Sequence, residues 1–329
     1  MSAKSTAKIP EEPAMQATRR RFLIGAAIGA GAALGPKFAY AQQPGLGRDR
    51  LVLLGTKGGP RVTAYAPTPS SNLVVYRNVP YVIDAGYGVT FKLVEAGMAL
   101  PALRYIFITH HHSDHNLELG PLIYNAWATG LRQRVDAYGP AGIQELLDGY
   151  WQSERFDIET RIADEGRPDL RQLVSAHTYA QGPVFTDEDV KVTALRNVHP
   201  PIVESYGLKF ELGRKAIVFS GDTTYFPPLA DFAKGADMLV HEVMYGPALE
   251  ALVQKTPNAA TLMAHLKASH TLAEDVGRIA AAAKVKTLVL NHFVPGDDKS
   301  VTPEVWTEAV RKTFAGNIVI GRDLLELPL

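Results

Sequence analysis

Residues 106–116 read IFITHHHSDHN, which puts four of the chain's ten histidines and one aspartate within positions 110–115, directly after an apolar run. Ordinary packing does not ask for such crowding, because imidazoles this close repel when protonated and each needs its own hydrogen-bond partner. A metal ion does ask for it. In an extended segment side chains alternate, so His110 and His112 point one way and His111 the other. A turn at Ser113 then lets Asp114 and His115 approach the same cavity from a second direction, which makes two ligand pairs rather than one cluster. The chain has no cysteine, so any metal must be held by His and carboxylate, and no disulfide can brace the fold.

A site with two ions needs further ligands from other strand ends, and three candidates present themselves. His199 closes VTALRNVHP, Asp222 closes AIVFSGDT and His292 closes KTLVLNHF. Each follows an apolar β-type run and precedes a turn or breaker.

Apolar runs and turn signals alternate from about Arg50 onward. RLVLLG reads as a strand, and NLVVYRNVPYVIDAG as two strands around a turn at Arg77-Asn78. Strands and helices then follow in two batches, each ending in ligand-type residues. That suits an α/β fold of two halves packed sheet against sheet, with helices outside. Residues 142–182 are polar and helix-like and are the least informative part of the chain.

The N-terminus reads as a targeting segment. TRRRFLIGAAIGAGAALG, followed by Ala39-Tyr40-Ala41, resembles a bacterial twin-arginine signal over residues 1–41. Residues 42–329 would then form a single domain, located in the periplasm. Of 34 Lys/Arg and 34 Asp/Glu, six and two lie in residues 1–41, which leaves 28 and 32 and a net charge near −4. An acidic surface is poor equipment for gripping a polyanion, so no nucleic-acid partner and no lasting membrane contact is expected.

The order H-x-H-x-D-H, His199, Asp222, His292 resembles the metallo-β-lactamase superfamily. The resemblance implies a four-layer αβ/βα sandwich holding two Zn²⁺ ions, with Mn²⁺ or Fe as alternatives. His110, His112 and His199 would hold the first ion, Asp114, His115 and His292 the second, and Asp222 would bridge both. Asp84, in VIDAG, would hold a ligand histidine in the right tautomer, while His111 falls at the variable position.

Within the superfamily, LVLLGTKGGP, LVHEVMY and KASHTLAEDVGRIAAAAKVKTLVLNHF are similar to the ribonuclease Z-like branch, over roughly residues 51–293. That likeness implies a carboxylate–imidazole pair, Glu242 and His270, in which His270 protonates the leaving oxygen. Asp114 would orient or deprotonate the water between the ions that serves as nucleophile.

HHHSDHNLELGPLIYNAWATGL, VHEVMYG and LVLNHFVPG resemble a narrower subgroup typified by a bacterial zinc arylsulfatase. That resemblance implies that residues 142–182 cover the metals, with Tyr150, Trp151, Phe156 and Tyr206 as candidate pocket walls, although core packing is the commoner use of any one such aromatic. Only 22 residues separate His199 from Asp222, too few for the protruding arm with which the tRNA-processing enzymes of this branch grip tRNA. The expectation is therefore an exported dinuclear zinc hydrolase of small sulfate or phosphate esters, with a homodimer left open. The alternatives are a ribonuclease Z-like phosphodiesterase and a lactonase or β-lactamase-type hydrolase.

Overall fold

Fourteen strands in two seven-stranded sheets organise the computed structural model, which describes residues 46–64 and 66–329. The first sheet takes β1 (Arg50–Gly55), β2 (Ser71–Tyr76), β3 (Val79–Ile83), β4 (Tyr105–Phe107), β5 (Val135–Gly139) and β6 (Val174–Thr178). The second takes β7 (Gly182–Thr186), β8 (Val190–Arg196), β9 (Tyr206–Leu212), β10 (Lys215–Phe219), β11 (Met238–Met244), β12 (Thr287–Val294) and β13 (Asn317–Ile320). The last strand, β14 (Leu325–Pro328), returns to the first sheet and pairs antiparallel with β1. Residues 1–41, read as an export signal, lie outside the described residues.

Local chemistry accounts for the connections. The β2–β3 hairpin closes through Arg77 and Asn78 at φ 47° and 65°, the doubly left-handed turn whose twist matches that of the strands it joins. From β3 to β6 and from β10 to β13 the pairing is parallel, so each step needs a crossover that covers an outer face. The helices Val89–Glu95, Leu119–Ala128, Ile143–Ser153 and Arg155–Glu165 lie within the crossovers of the first half. Pro228–Phe232, Ala273–Ala283 and Pro303–Arg311 do so in the second.

Alternation along the strands divides the core into layers. Leu51, Leu53, Val74, Tyr81, Ile83 and Phe107 share one buried cluster with Leu208, Phe210, Ile217, Phe219, Val240 and Val289, so this cluster joins the sheets. Their neighbours Val52, Leu54, Leu73, Val82 and Ile106 pack instead with Leu93, Leu122, Trp127 and Leu147 of the first helical layer. Val218, Leu239 and Leu288 do the same with Val276, Ile279, Trp306 and Val310 of the other. The result is the α/β four-layer sandwich.

Two expectations change. Residues 142–182 do not cover the site: Ile143, Leu147, Trp151 and Ile158 are apolar at helical spacing and bury against the outer face of the first sheet. Phe156 is 85% exposed, and Tyr206 is buried between the sheets. The stretch after His199 is spent on the β9–β10 hairpin, turning at Gly213, so no arm is present there.

Phe210 stands edge-on to Phe107 at 5.2 Å, to Phe219 at 5.7 Å and to Tyr81 at 6.4 Å. Phe210→Ala is expected to cost about 3–5 kcal/mol in urea unfolding. A loss below about 1 kcal/mol would mean that this aromatic contact does not hold the sheets together.

Candidate metal centre

The candidate ligands gather at one edge of the sandwich. After β4 the chain runs through Thr109–His112 into the one-turn helix Ser113–Asn116, which carries Asp114 and His115. His199 follows β8, and Asp222 follows β10 by way of Gly221 at φ 58°. A Cβ on Gly221 would stand 2.4 Å from the Tyr206 carbonyl oxygen, so glycine is required there. His292 sits inside β12 at a bulge: Asn291 pairs with Glu242 and Phe293 with Val243, which leaves His292 unpaired at φ 43°. A non-glycine residue held at that angle signals a position over-determined by its surroundings.

These side chains converge. His110 Nε2 is 3.1 Å from His112 Nδ1, which is 3.0 Å from His199 Nε2. Asp222 Oδ2 lies 3.1 Å from His292 Nε2, 3.3 Å from His115 Nε2, and 3.9 Å from both His110 Nε2 and His199 Nε2. Asp114 Oδ2 stands 3.3 Å from His292 Nε2 and 3.6 Å from His115 Nε2. His110, His112 and His199 form one ligand-spaced group, and Asp114, His115, Asp222 and His292 another.

The donor set fits divalent metal. His110 Nδ1 is 3.1 Å from Thr109 Oγ1, His115 Nδ1 is 2.8 Å from Asp84 Oδ2, and His199 Nδ1 is 2.9 Å from the Ser269 carbonyl. With their outer nitrogens so engaged, these three rings turn an Nε2 lone pair inward. Asp84 is itself fixed, accepting from the Thr109 backbone N–H at 2.8 Å and from its hydroxyl at 3.0 Å. Among the described residues, buried His115 Nε2 has no hydrogen-bond partner, although a buried polar atom normally does. Five imidazoles and two carboxylates without thiolate suit Zn²⁺, Mn²⁺ or Fe.

Electrostatics agree. Burial lowers the His110 pKa well below its ordinary value and brings His199 down to about 4, so both rings are held in the neutral form a metal takes. Burial opposes protonation of His115 as well, yet Asp222, Asp84 and Asp114 together hold it well above the usual range. Negative charge collects at that point.

Beside the cluster, Glu242 Oε2 and Oε1 lie 3.1 and 3.2 Å from His270 Nδ1, and Oε1 also accepts from the Thr223 backbone N–H at 2.8 Å. Burial disfavours charge on His270, but the Glu242 carboxylate more than compensates and its pKa is pushed up to about 9. His111 faces away, its ring nitrogens near Asn116 and the Pro140 carbonyl.

A cavity of about 440 Å³ opens alongside, lined by Asp114, Asp222 and His270 together with Lys57, Arg61 and His265. The sequence reading did not single out these last three. The glycine-rich turn TKGGP after β1 was the available signal for Lys57 and Arg61, whereas His265, mid-helix, had none. Tyr150, Trp151, Phe156 and Tyr206 do not line it.

Residues 80–293 match the family described as the beta-lactamase superfamily domain. The chain belongs to the metallo-β-lactamase superfamily. It is 28% identical over 277 residues to ribonuclease Z of Mycobacterium marinum, covering 83% of this chain and 96% of that one. With ribonuclease Z of Mycobacterium sp. (strain KMS) it shares 29% over 278 residues, 83% and 94% of the two chains. Its fold is similar to that of the metallo-beta-lactamase fold protein YhfI from Bacillus subtilis, with TM-score 0.64 and 20% identity over 84% of this chain and 98% of the other. Human tRNase Z, short form, follows with TM-score 0.59 and 18% identity over 84% and 98%.

These relatives overturn two expectations. The arylsulfatase reading gives way to its alternative, the ribonuclease Z-like phosphodiesterase, because likeness over nearly the full length of the relatives outweighs a few short phrases. The expectation of no nucleic-acid partner falls with it. A net charge of about −4 averages over the whole surface, whereas cutting a phosphodiester needs positive potential only at the site.

Asp84→Asn removes the carboxylate behind His115 while nearly preserving its volume. Metal affinity should fall about 10–100-fold in a chelator competition; unchanged retention would show that His115 is oriented without it.

Proposed function

We propose that this chain is a metal-dependent phosphodiesterase of the ribonuclease Z type that cleaves RNA. The carrying observation is the combination of ribonuclease Z relatives, matched over 94–96% of their length, with two ligand-spaced His/Asp groups beside a buried Glu242–His270 pair. In this reading His110, His112 and His199 hold one ion, Asp114, His115 and His292 the other, and Asp222 faces both.

Divalent ions bound there would neutralise charge on the scissile phosphate and acidify water at near-neutral pH. The chain's own residues do the remainder. Asp114, fixed by the Gly59 backbone N–H at 2.8 Å, offers a carboxylate oxygen at the mouth of the cavity to orient the attacking water and take its proton. Glu242 engages His270 Nδ1 and so leaves Nε2 to deliver a proton to the departing oxygen. The Glu242 carboxylate keeps the proton on the imidazole against the cost of burying the charge.

Activity on RNA should disappear on chelation and return with Zn²⁺ or Mn²⁺. Because an alkoxide leaving group needs an acid and nitrophenolate hardly does, His270→Ala should cost about 10²–10⁴ in rate on RNA. It should cost far less on bis(p-nitrophenyl) phosphate. Equal losses on both would remove the acid role, and metal-loaded protein inert on every RNA and diester would end the phosphodiesterase reading.

A further inference from the structure

Lys57 is 4% exposed and lines the cavity beside Asp114. Its backbone joins the two sheets, bridging Pro69 on one side and Phe293 on the other. The ammonium donates to the Gly59 carbonyl and, at 3.5 Å, to that of Gly58. Among the described residues no carboxylate stands within ion-pair distance of Nζ, whereas its neighbour Arg61 is paired with Asp297 at 2.6 Å. A buried ammonium without a counter-charge is costly and is uncommon unless something pairs with it.

What else lines the cavity narrows the ligand. Leu252, Leu262, Leu266, Val294 and Pro295 leave a largely apolar wall, suited to a flat or apolar group rather than a second charge. The Gly59 backbone N–H reaches Asp114 while its carbonyl holds Lys57, so one peptide unit couples the cation to the metal centre. We propose that Lys57 is the substrate-recognition residue of this cavity, pairing with a phosphate oxygen of the RNA while the leucine wall takes the attached base. This rests on the phosphodiesterase reading and assigns the local positive charge that reading requires.

Lys57→Gln keeps a hydrogen-bond donor for the Gly59 carbonyl and removes the charge, and Lys57→Arg restores the charge. In the metal-loaded enzyme, Lys57→Gln should raise the dissociation constant of inorganic phosphate, read by titration calorimetry, and the KM for RNA about 10- to 100-fold, the worth of one charge-assisted hydrogen bond. Its kcat and metal content should stay close to wild type, and Lys57→Arg should recover much of the affinity. A folded, metal-loaded Lys57→Gln enzyme with unchanged phosphate affinity overturns the proposal, as does one that loses metal and kcat with KM intact. Should the variants not fold, a crystal of the wild type grown with inorganic phosphate decides: phosphate bonded to Nζ supports the assignment, and phosphate bound elsewhere in the cavity removes it. Phosphate binding needs no turnover, so an enzyme that cleaves no RNA sinks the phosphodiesterase reading without touching this measurement.

Discussion

One buried carboxylate oxygen, Asp222 Oδ2, sits within 3.1–3.9 Å of four imidazole nitrogens drawn from three separate segments of the chain. Packing of neutral side chains does not ask for such a meeting; ring nitrogens and carboxylate oxygens at this spacing could hold a metal ion. Much else in the molecule serves to hold that arrangement. Asp84, Thr109 and the Ser269 carbonyl each occupy the outer nitrogen of a ring, so the inner lone pairs are aimed before any ion arrives.

The sandwich supplies the rigidity. Because both sheets send their loops to one edge, ligands from β4 and from β8, β10 and β12 meet there, and the aromatic layer around Phe107 and Phe210 fixes how far apart they stand. Strain is concentrated at the same edge. His292 is bulged out of β12 at a left-handed angle, and a Cβ on Gly58 would lie 2.9 Å from its ring. Functional sites commonly store such local cost where the surrounding core can bear it.

Charge explains why the first functional expectation failed. Net charge describes how a whole surface treats a polyanion, and here it pointed away from RNA. At the scale of the cavity the charges that count are those lining it, Lys57 and Arg61 among them, while acidic residues farther off are screened at physiological salt. The short β9–β10 hairpin likewise bears on how a large substrate would be gripped, and says nothing about which bond is cut.

Strand-end histidines and aspartates, the period-two apolar runs and the Arg77-Asn78 turn were legible in the sequence because each is a local signal: residue type, spacing and a breaker. From these came the α/β class, the paired sheets and the seven candidate ligands, as well as the Glu242–His270 pair through family likeness. Which side chains wall the cavity was not legible. Residues 142–182 share polar, helix-like character with many lids, and only tertiary packing turned their apolar face, Ile143, Leu147 and Trp151, onto the outer sheet surface. Lys57 and His265 reached the cavity for a related reason: a side chain's neighbours across a fold depend on how layers stack, and stacking is a property of contacts far apart along the chain.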